Sequence, residues 1–360
     1  MLSHVSARLR HVDIAKGIGI LAVILGHTVI EIGRFGYPHP LLLRAIFSFH
    51  MPLFFILSGY FIKPRTREAS TFVKRVAPWS PKKEFRRLIV PYLVTAACVV
   101  ALMVLSQLVL RDLPIGGGEL ARNWLEAAFY GAGDIFPNAL WPQAACIGGI
   151  WFLLALFWAR MITKLASETS FAPIIVIVSA TAGVLTANQF FLPWSIQPGL
   201  FGSFFVWLGM EAKRTRIFED KRIPVPVWIL IVAVWVRCLC IDQHIVMNSC
   251  YAGDSFEAFL NVMLGAVCGS AAVIGLSQVI DEHADVLARP LAFLGELSLY
   301  ILCVHLVEDI AIFRWSSPAT AAIAALGPDA AFALWFILRS GLCAGVAAGI
   351  SRLIRSAQRR

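Results

Sequence analysis

Charge is scarce in this sequence. Only 15% of its 360 residues are Asp, Glu, Lys or Arg, whereas 59% are apolar. A soluble domain of this length needs more charge to cover its surface, so the composition excludes an ordinary soluble enzyme and predicts an all-α polytopic membrane protein. The aromatic fraction of 12%, with 25 Phe and 11 Trp, is typical of lipid-facing helices and their interfacial ends.

Three further kinds of signal are missing. The eight cysteines form no Cys-x-x-Cys pair and no Cys/His spacing typical of a metal site, so no metal is expected. The first apolar run contains Lys16 and His27 and is followed by no small-x-small cleavage site, which argues against a cleaved signal peptide. No short-period repeat or low-complexity tract is present either, so we predict a single integral membrane domain over residues 1–360.

Ten apolar runs are long enough to cross about 30 Å of hydrocarbon. They predict a bundle of about ten transmembrane helices. The runs cover residues 14–32, 44–62, 88–110, 148–166, 172–191, 198–212, 226–242, 257–279, 290–310 and 330–351.

Basic residues are concentrated in the loops on one side of this predicted bundle. Segments 63–87 and 213–222 and the C-terminal tail carry most of them, and with ten spans all three lie on the side of the N-terminus. The positive-inside rule then predicts both termini in the cytoplasm and a multi-pass protein of the bacterial cytoplasmic (inner) membrane. Topology and membrane lipids account for the net charge of +9, so nucleic acid is not expected as a partner.

The first helix carries four ionisable side chains on one narrow stripe. Asp13, Lys16, His27 and Glu31 lie within about 60° of one another at 100° per residue. Because ionisable groups inside a membrane are costly, this stripe is predicted to be functional and to face the bundle interior or a water-filled cavity. Glu31 lies one turn beyond His27, so its carboxylate is predicted to orient the imidazole for catalysis.

The separation of Lys16 and His27 suits a long acyl donor. Eleven residues of helix place them about 16 Å apart, comparable with the pantetheine arm of coenzyme A. Lys16, at the cytoplasmic end, would hold the donor's phosphates while the thioester reaches His27. The alternatives are a snorkelling lysine and a histidine in a helix-packing hydrogen bond.

The second helix carries His50, followed closely by Pro52. Consecutive antiparallel helices usually touch, so His50 is predicted to share a cavity with His27 and to position the acceptor or the oxyanion. Pro52 disturbs the helix and frees backbone groups to line that cavity. Two unrelated packing histidines would give the same pattern.

These residues belong to a set of motifs that extends along the chain. The set comprises Asp13-Ile14-Ala15-Lys16-Gly17-Ile18-Gly19-Ile20 with Gly26-His27, Phe49-His50-Met51-Pro52-Leu53-Phe54-Phe55-Ile56-Leu57-Ser58-Gly59-Tyr60, Arg86-Arg87-Leu88-Ile89-Val90-Pro91-Tyr92, Trp151-Phe152-Leu153-Leu154-Ala155-Leu156, and Gly295-Glu296-Leu297-Ser298-Leu299-Tyr300-Ile301 with His305. Together they resemble the membrane acyltransferase-3 family, most of all the branch described as fucose 4-O-acetylases. Lys16 and His27 meet its pattern of Arg or Lys, ten residues, and His. The double Arg departs from an Arg-x-x-Arg arrangement, for which Lys83 and Arg86 are the nearest equivalent.

The resemblance implies O-acetyl transfer from acetyl-CoA, the acyl donor, to a hydroxyl of a cell-surface or lipid-linked carbohydrate. It implies His27 as the central catalytic residue and Lys16 as a donor contact. The other residues predicted to bind the donor are Asp13, Lys83, Arg86, Arg87 and Trp151. His27 would take the hydroxyl proton as the sugar attacks the thioester, and a covalent acyl-His intermediate is the alternative.

Two other classes of function remain open. A secondary transporter or flippase for a glycan or lipid-linked precursor also uses buried His, Glu and Arg, although no inverted repeat is evident. A sensor or assembly subunit without catalysis is the other. Arg237 and Arg339 need partners inside the bundle in any case, and Glu296, Glu308 and Asp309 are the nearest acids by depth.

Overall fold

The computed structural model describes residues 9–62, 80–110, 114–217, 219, 223–241, 243–312 and 316–357. These residues form helices almost throughout, and their only β-structure is two isolated bridges. The predicted all-α architecture is therefore confirmed. The helices are α1 (Arg10–Arg34), α2 (Pro40–Tyr60), α3 (Pro81–Glu84), α4 (Val90–Leu110), α5 (Gly117–Tyr130), α6 (Trp151–Ser167), α7 (Ala172–Ala187), α8 (Ile196–Arg214), α9 (Val225–Leu239), α10 (Phe256–His283), α11 (Asp285–Glu296), α12 (Ser298–Ile312), α13 (Ser316–Leu326) and α14 (Pro328–Ala357), with a π-helical turn at Phe85–Ile89 and a 3-10 turn at Gly148–Ile150.

All ten predicted apolar runs coincide with helices, but fewer helices meet a strict test of length and composition. Among the described residues, six helices are long and apolar enough to cross a membrane, or seven if the bent pair α11 and α12 forms one span. Helices α7 and α9 are apolar but have only 16 and 15 residues. The chain is a polytopic helical membrane protein, and the number of ten spans stays a prediction.

Helix α1 lies at the centre of the bundle. It contacts α2, α10, α11, α12 and α14. Its closest neighbour is α11, because Gly17 on α1 and Gly295 on α11 face the backbone of the opposite helix, where a Cβ would collide. Small residues allow this kind of close helix packing in membranes.

A break at Leu297 divides the ninth predicted span into two helices. Helices α11 and α12 meet there at an angle of 70°, so the predicted span 290–310 is a bent helix pair, and whether it crosses the membrane as one span stays a prediction. The buried side chain of Leu297 packs with the part of α1 that contains Ile20 and Val23. Tertiary packing therefore holds the bend, which directs α12 toward the His27 end of α1.

The segment between α4 and α6 is folded against the bundle. Tyr130, at the end of α5, is fully buried, and its hydroxyl accepts a hydrogen bond of 3.1 Å from the backbone N–H of Leu140. The chain then enters the 3-10 turn Gly148–Ile150, which contacts α12. This route brings the start of α6 to the middle of the bundle.

Much of the basic sequence used to predict the topology lies outside the described residues. This applies to residues 63–79 and to Lys221, Arg222, Arg359 and Arg360. The cytoplasmic location of both termini therefore stays a prediction.

Candidate active site

The polar stripe of α1 faces the interior of the bundle, as predicted. Asp13 is 5% exposed, and its Oδ1 lies 3.2 Å from Nζ of the partly buried Lys16. The Lys16 ammonium also lies 4.6 Å from the centre of the Phe61 ring. His27 and Glu31 are each less than a quarter exposed and bind residues of α12 and α14.

His27 forms a pair with an acid from a distant part of the chain. Its Nδ1 lies 3.0 Å from Oδ2 of Asp309 on α12. An Nδ1–H that donates to this carboxylate leaves Nε2 as the acceptor, which is the tautomer a general base requires. The predicted pairing of His27 with Glu31 is wrong, because α14 supplies other donors to Glu31. That carboxylate accepts hydrogen bonds from Trp335 Nε1 at 3.1 Å and Arg339 Nη1 at 3.0 Å.

Arg339 joins three carboxylates at this point of the bundle. It is 3% exposed, and its guanidinium lies 3.0 Å from Glu31, 2.8 Å from Glu308 and 2.6 Å from Asp309. Of the three acids that depth suggested for Arg237 and Arg339, Glu308 and Asp309 pair with Arg339, and Glu31, which was not among them, is an additional partner. Arg237 has a different kind of partner and donates to Asn261 Oδ1 at 3.1 Å.

A second histidine lies beside His27. His305 on α12 is fully buried, and the two imidazole rings are 4.9 Å apart between centroids. Nδ1 of His305 lies 3.0 Å from Glu308 Oε2, while its Nε2 has no hydrogen-bond partner in the described part of the chain. Two His–carboxylate pairs thus share the guanidinium of Arg339. Sequence reasoning singled out His305 only as the end of a motif. Its partner Glu308 lies one turn further along α12 and gave a local signal that was not used, whereas the contacts with His27 and Arg339 come from other helices.

His50 is buried in α2 close to this cluster. Its Nδ1 lies 2.9 Å from the carbonyl oxygen of Ile46, and its ring packs edge-on against Phe47 at 4.8 Å. His50 is near enough to His27 for an electrostatic interaction, but no hydrogen bond between them is found in the described residues. The role of His50 in positioning the acceptor stays a prediction.

A cavity of about 110 Å³ lies between α1, α2, α6 and α12. Its lining is mainly apolar, and its few polar side chains include Lys16, Ser58 and Arg87. The apolar lining includes Ile20, Val23, Phe54, Phe152, Leu299 and Leu302. The cavity is therefore an apolar slot with cationic groups in its wall.

The two imidazoles continue the lining of this cavity along their helices. His27 follows Val23 by one turn of α1, and His305 follows Leu302 by one turn of α12. Residues one turn apart lie on the same face of a helix. The histidine cluster therefore lies just beyond the end of the cavity that is farthest from Lys16.

The residues predicted to bind the donor are divided between this cavity and other places. Lys16 and Arg87 line the cavity. Lys83 and Arg86 are exposed and do not line it. Trp151 is buried in the apolar core and does not line it either. The structure thus brings two of the predicted cations together and leaves the roles of the others as predictions.

The turn before α6 also reaches the histidine cluster. A Cβ on Gly149 would lie 3.8 Å from His27 Cε1 and 2.7 Å from Leu306 Cδ2. Its neighbour Gly148 has a φ of 65°, a conformation that favours glycine. The backbone of this turn therefore lies beside the imidazole, which the Trp-Phe-Leu motif alone did not indicate.

Among the described residues, two overlapping groups of side chains have donor atoms close enough together for a metal ion, within 4.8 Å of one another. The groups are His27, His305 and Asp309, and His305, Glu308 and Cys343. Arg339 already forms ion pairs with both carboxylates, and its positive charge opposes a cation at the same position. The arrangement suits acid–base chemistry better than metal binding.

Comparison with known proteins identifies the family. A family model of acyltransferase-3 type, described as an acyltransferase domain, matches residues 9–351. No curated protein and no solved structure matches the chain significantly. The matched region contains His27, Asp309 and Arg339 as well as the cavity. The chain belongs to the acyltransferase-3 family of membrane acyltransferases.

Proposed function

We propose that the protein transfers an acetyl group from acetyl-CoA to a hydroxyl of a cell-surface or lipid-linked carbohydrate, as a member of the fucose 4-O-acetylase-like branch. The observation that carries the proposal is the His27–Asp309 pair just beyond an apolar cavity that Lys16 and Arg87 also line. A base at one end of an apolar slot and cations at the other suit a thioester on a long phosphorylated arm.

The donor enters from the Lys16 end of the cavity. Lys16 and Arg87 bind its phosphates, and the pantetheine arm follows the apolar walls, which must move apart because the cavity of about 110 Å³ is smaller than the arm. The thioester then lies beyond Val23 and Leu302, next to the imidazole of His27. With the Lys16 end on the cytoplasmic side of a bacterial inner membrane, the protein draws on cytoplasmic acetyl-CoA.

His27 acts as the general base. Its Nε2 takes the proton of the acceptor hydroxyl while the hydroxyl oxygen attacks the thioester carbonyl. A C–O bond forms, the C–S bond breaks, and the proton passes from His27 to the departing thiolate. The products are the acetylated carbohydrate and coenzyme A with a free thiol, and no other reactant is consumed.

Asp309 and Arg339 prepare the imidazole for this step. Asp309 fixes the tautomer and lies next to the positive charge that develops on His27 as it takes the proton. Arg339 binds the other oxygen of Asp309 and prevents the carboxylate from turning away. Both groups are held by packed helices and need little reorganisation during the reaction.

The proposal is tested with membranes that contain the wild type or His27→Ala and are supplied with radiolabelled acetyl-CoA. We expect label in the glycan fraction that depends on the protein and disappears in His27→Ala. A control variant, His283→Ala, removes an exposed histidine at the end of α10 and should leave labelling unchanged. Equal labelling by wild type and His27→Ala would remove His27 from the mechanism.

A further inference from the structure

A buried ion-pair cluster joins three helices beside the cavity. Glu84 at the end of α3 is 5% exposed and Arg160 on α6 is 3% exposed. They form two parallel hydrogen bonds of 2.9 Å, and Lys164 lies 2.9 Å from the same carboxylate. Nη1 of Arg160 also donates to Ser58 on α2, to its carbonyl oxygen at 2.7 Å and its Oγ at 2.8 Å.

This cluster specifies geometry more than it stabilises the fold. Desolvation of a buried ion pair offsets most of its Coulomb attraction, so an apolar pair of similar volume would serve folding as well. A two-pronged Arg–carboxylate contact, by contrast, fixes distance and orientation together. The ion pair between Glu84 and Arg160 therefore fixes the start of the third predicted span against α6. The hydrogen bonds from Arg160 to Ser58 fix α6 against the part of α2 that lines the cavity.

The π-helical turn Phe85–Ile89 begins directly after Glu84. Turns of this type often occur at functional sites, because the extra residue redirects the side chains that follow. This one carries Arg87, which lines the cavity and is within electrostatic range of Arg160 and Glu84. Arg87 itself makes no hydrogen bond or ion pair with the described residues, so its donors are available to a ligand.

Positive charge is in excess at this end of the cavity. Arg160 and Lys164 share the single carboxylate of Glu84, while Arg87 forms no ion pair with the described residues. Lys16, also in the cavity wall, pairs with Asp13. Such an excess in a partly desolvated place favours an anion with more than one negative charge, such as a diphosphate.

We propose that Glu84 is a positioning residue for the phosphate site of the acyl donor, and that it acts by setting the orientation of Arg87. This inference rests on the proposed function for the identity of the donor. Glu84 touches no substrate. It pairs with Arg160 and Lys164 and anchors the π-helical turn, and Arg87 contacts the phosphates.

Two acyl donors with the same acetyl thioester, one with phosphates and one without, test the role of Glu84. Acetyl-CoA carries the phosphates, whereas S-acetylpantetheine has the same reactive end and none. We expect Glu84→Gln to raise the KM for acetyl-CoA about ten-fold with little change in kcat, and to leave the kinetics of S-acetylpantetheine unchanged. Arg87→Gln should do the same. Because Glu84 acts through Arg87, the double variant should be no worse than Arg87→Gln alone.

Several results would overturn the inference. These are equal losses with both donors, additive effects in the double variant, or an unchanged KM for acetyl-CoA. Glu168→Gln, an exposed carboxylate at the end of α6, is the matched control and should change neither donor's kinetics. If Glu84→Gln does not insert, the paired variant Glu84→Gln, Arg160→Gln removes both buried charges and is subjected to the same comparison.

A binding measurement separates this inference from the proposed function. Coenzyme A should stabilise the purified full-length protein against heat more than pantetheine does, and the difference should shrink in Glu84→Gln. If the wild type shows this preference but acetylates no carbohydrate, the proposed acceptor is wrong and the phosphate site stands. If coenzyme A and pantetheine stabilise the wild type equally, the phosphate site is wrong.

Discussion

The contact between His27 and Asp309 determines the tautomer of the His27 imidazole. Donation of Nδ1–H to the carboxylate leaves Nε2 to accept a proton. Arg339 holds the other carboxylate oxygen at 2.6 Å, so Asp309 cannot rotate without breaking an ion pair. In the proposed mechanism, Asp309 and Arg339 therefore orient the base without contacting the substrate themselves.

Asp309→Asn should lower kcat for acetyl transfer by about 10³-fold, because an amide no longer selects the Nδ1–H tautomer or stabilises the imidazolium. Glu31→Gln should cost less than about ten-fold, since Glu31 binds Arg339 and Trp335 and its effect on the base is indirect. The rates are measured with radiolabelled acetyl-CoA and normalised to the amount of inserted protein. Equal losses in the two variants would show that Glu31 orients His27 after all.

Arg339→Gln should destabilise the protein strongly, because the buried carboxylate of Glu308 and the partly buried carboxylates of Glu31 and Asp309 lose their shared cation. Removal of one member of a buried ion pair costs about 3–5 kcal/mol in the free energy of unfolding. The thermal denaturation midpoint in detergent measures this loss. Arg339→Lys should lose less, since a charge remains, and Arg122→Gln on the exposed face of α5 should lose nothing. If the thermal denaturation midpoint of Arg339→Gln equals that of the wild type, Arg339 does not offset the negative charge of the three carboxylates.

The sequence indicates the residues of this site that lie on one helix and misses the contacts between helices. Lys16 and His27 could be predicted because helical spacing alone puts them on one face. Asp309 is 282 residues away from His27, and no local pattern pairs them. The contacts of Arg339 were predicted in part. Depth in the membrane suggested its acidic partners, but depth could not show that Glu31 is also one of them.

At the scale of elements, glycine contacts decide how α1 and α11 meet. Gly17 and Gly295 each face the backbone of the other helix, with no room for a methyl group. The bend at Leu297 then turns α12 toward the histidine cluster. The sequence motif containing Gly295 was visible, but the bend was not, because burial of Leu297 against α1 holds it and a glycine or proline nearby is common in straight membrane helices as well.

Gly295→Ala should separate α11 from α1 and lower the free energy of unfolding by about 1–3 kcal/mol, as overpacking of a close contact usually does. The displacement also moves Asp13 and Lys16, so the KM for acetyl-CoA should rise. Gly349→Ala is the matched control, because a Cβ at this position of α14 meets no atom within 4 Å. Thermal denaturation and acetyl-CoA kinetics report the two effects. A stable Gly295→Ala protein with unchanged KM would contradict the account of this contact.

At the scale of the whole molecule, exposed apolar side chains favour more spans than helix length alone supports. Helix α7 has 16 residues and reaches about 24 Å, short of a full hydrocarbon core. Its side chains Ile174, Ile177, Val178 and Leu185 are nevertheless 51–63% exposed. An apolar surface of this kind is stable only against lipid or another protein. Helix α9 exposes Ile229 and Leu230 in the same way.

Cysteine labelling in sealed vesicles decides whether α7 crosses the membrane. Glu168→Cys and Asn188→Cys place thiols before and after the helix, at exposed positions. If α7 spans, a membrane-impermeant maleimide should label the two variants from opposite sides, because a thinned bilayer accommodates a helix of this length. The parent protein, with its eight native cysteines, sets the background. Labelling of both variants from one side would place α7 along the membrane surface. The ten-span topology would then be wrong, and the cytoplasmic location of the Lys16 end would have to rest on evidence other than loop charge.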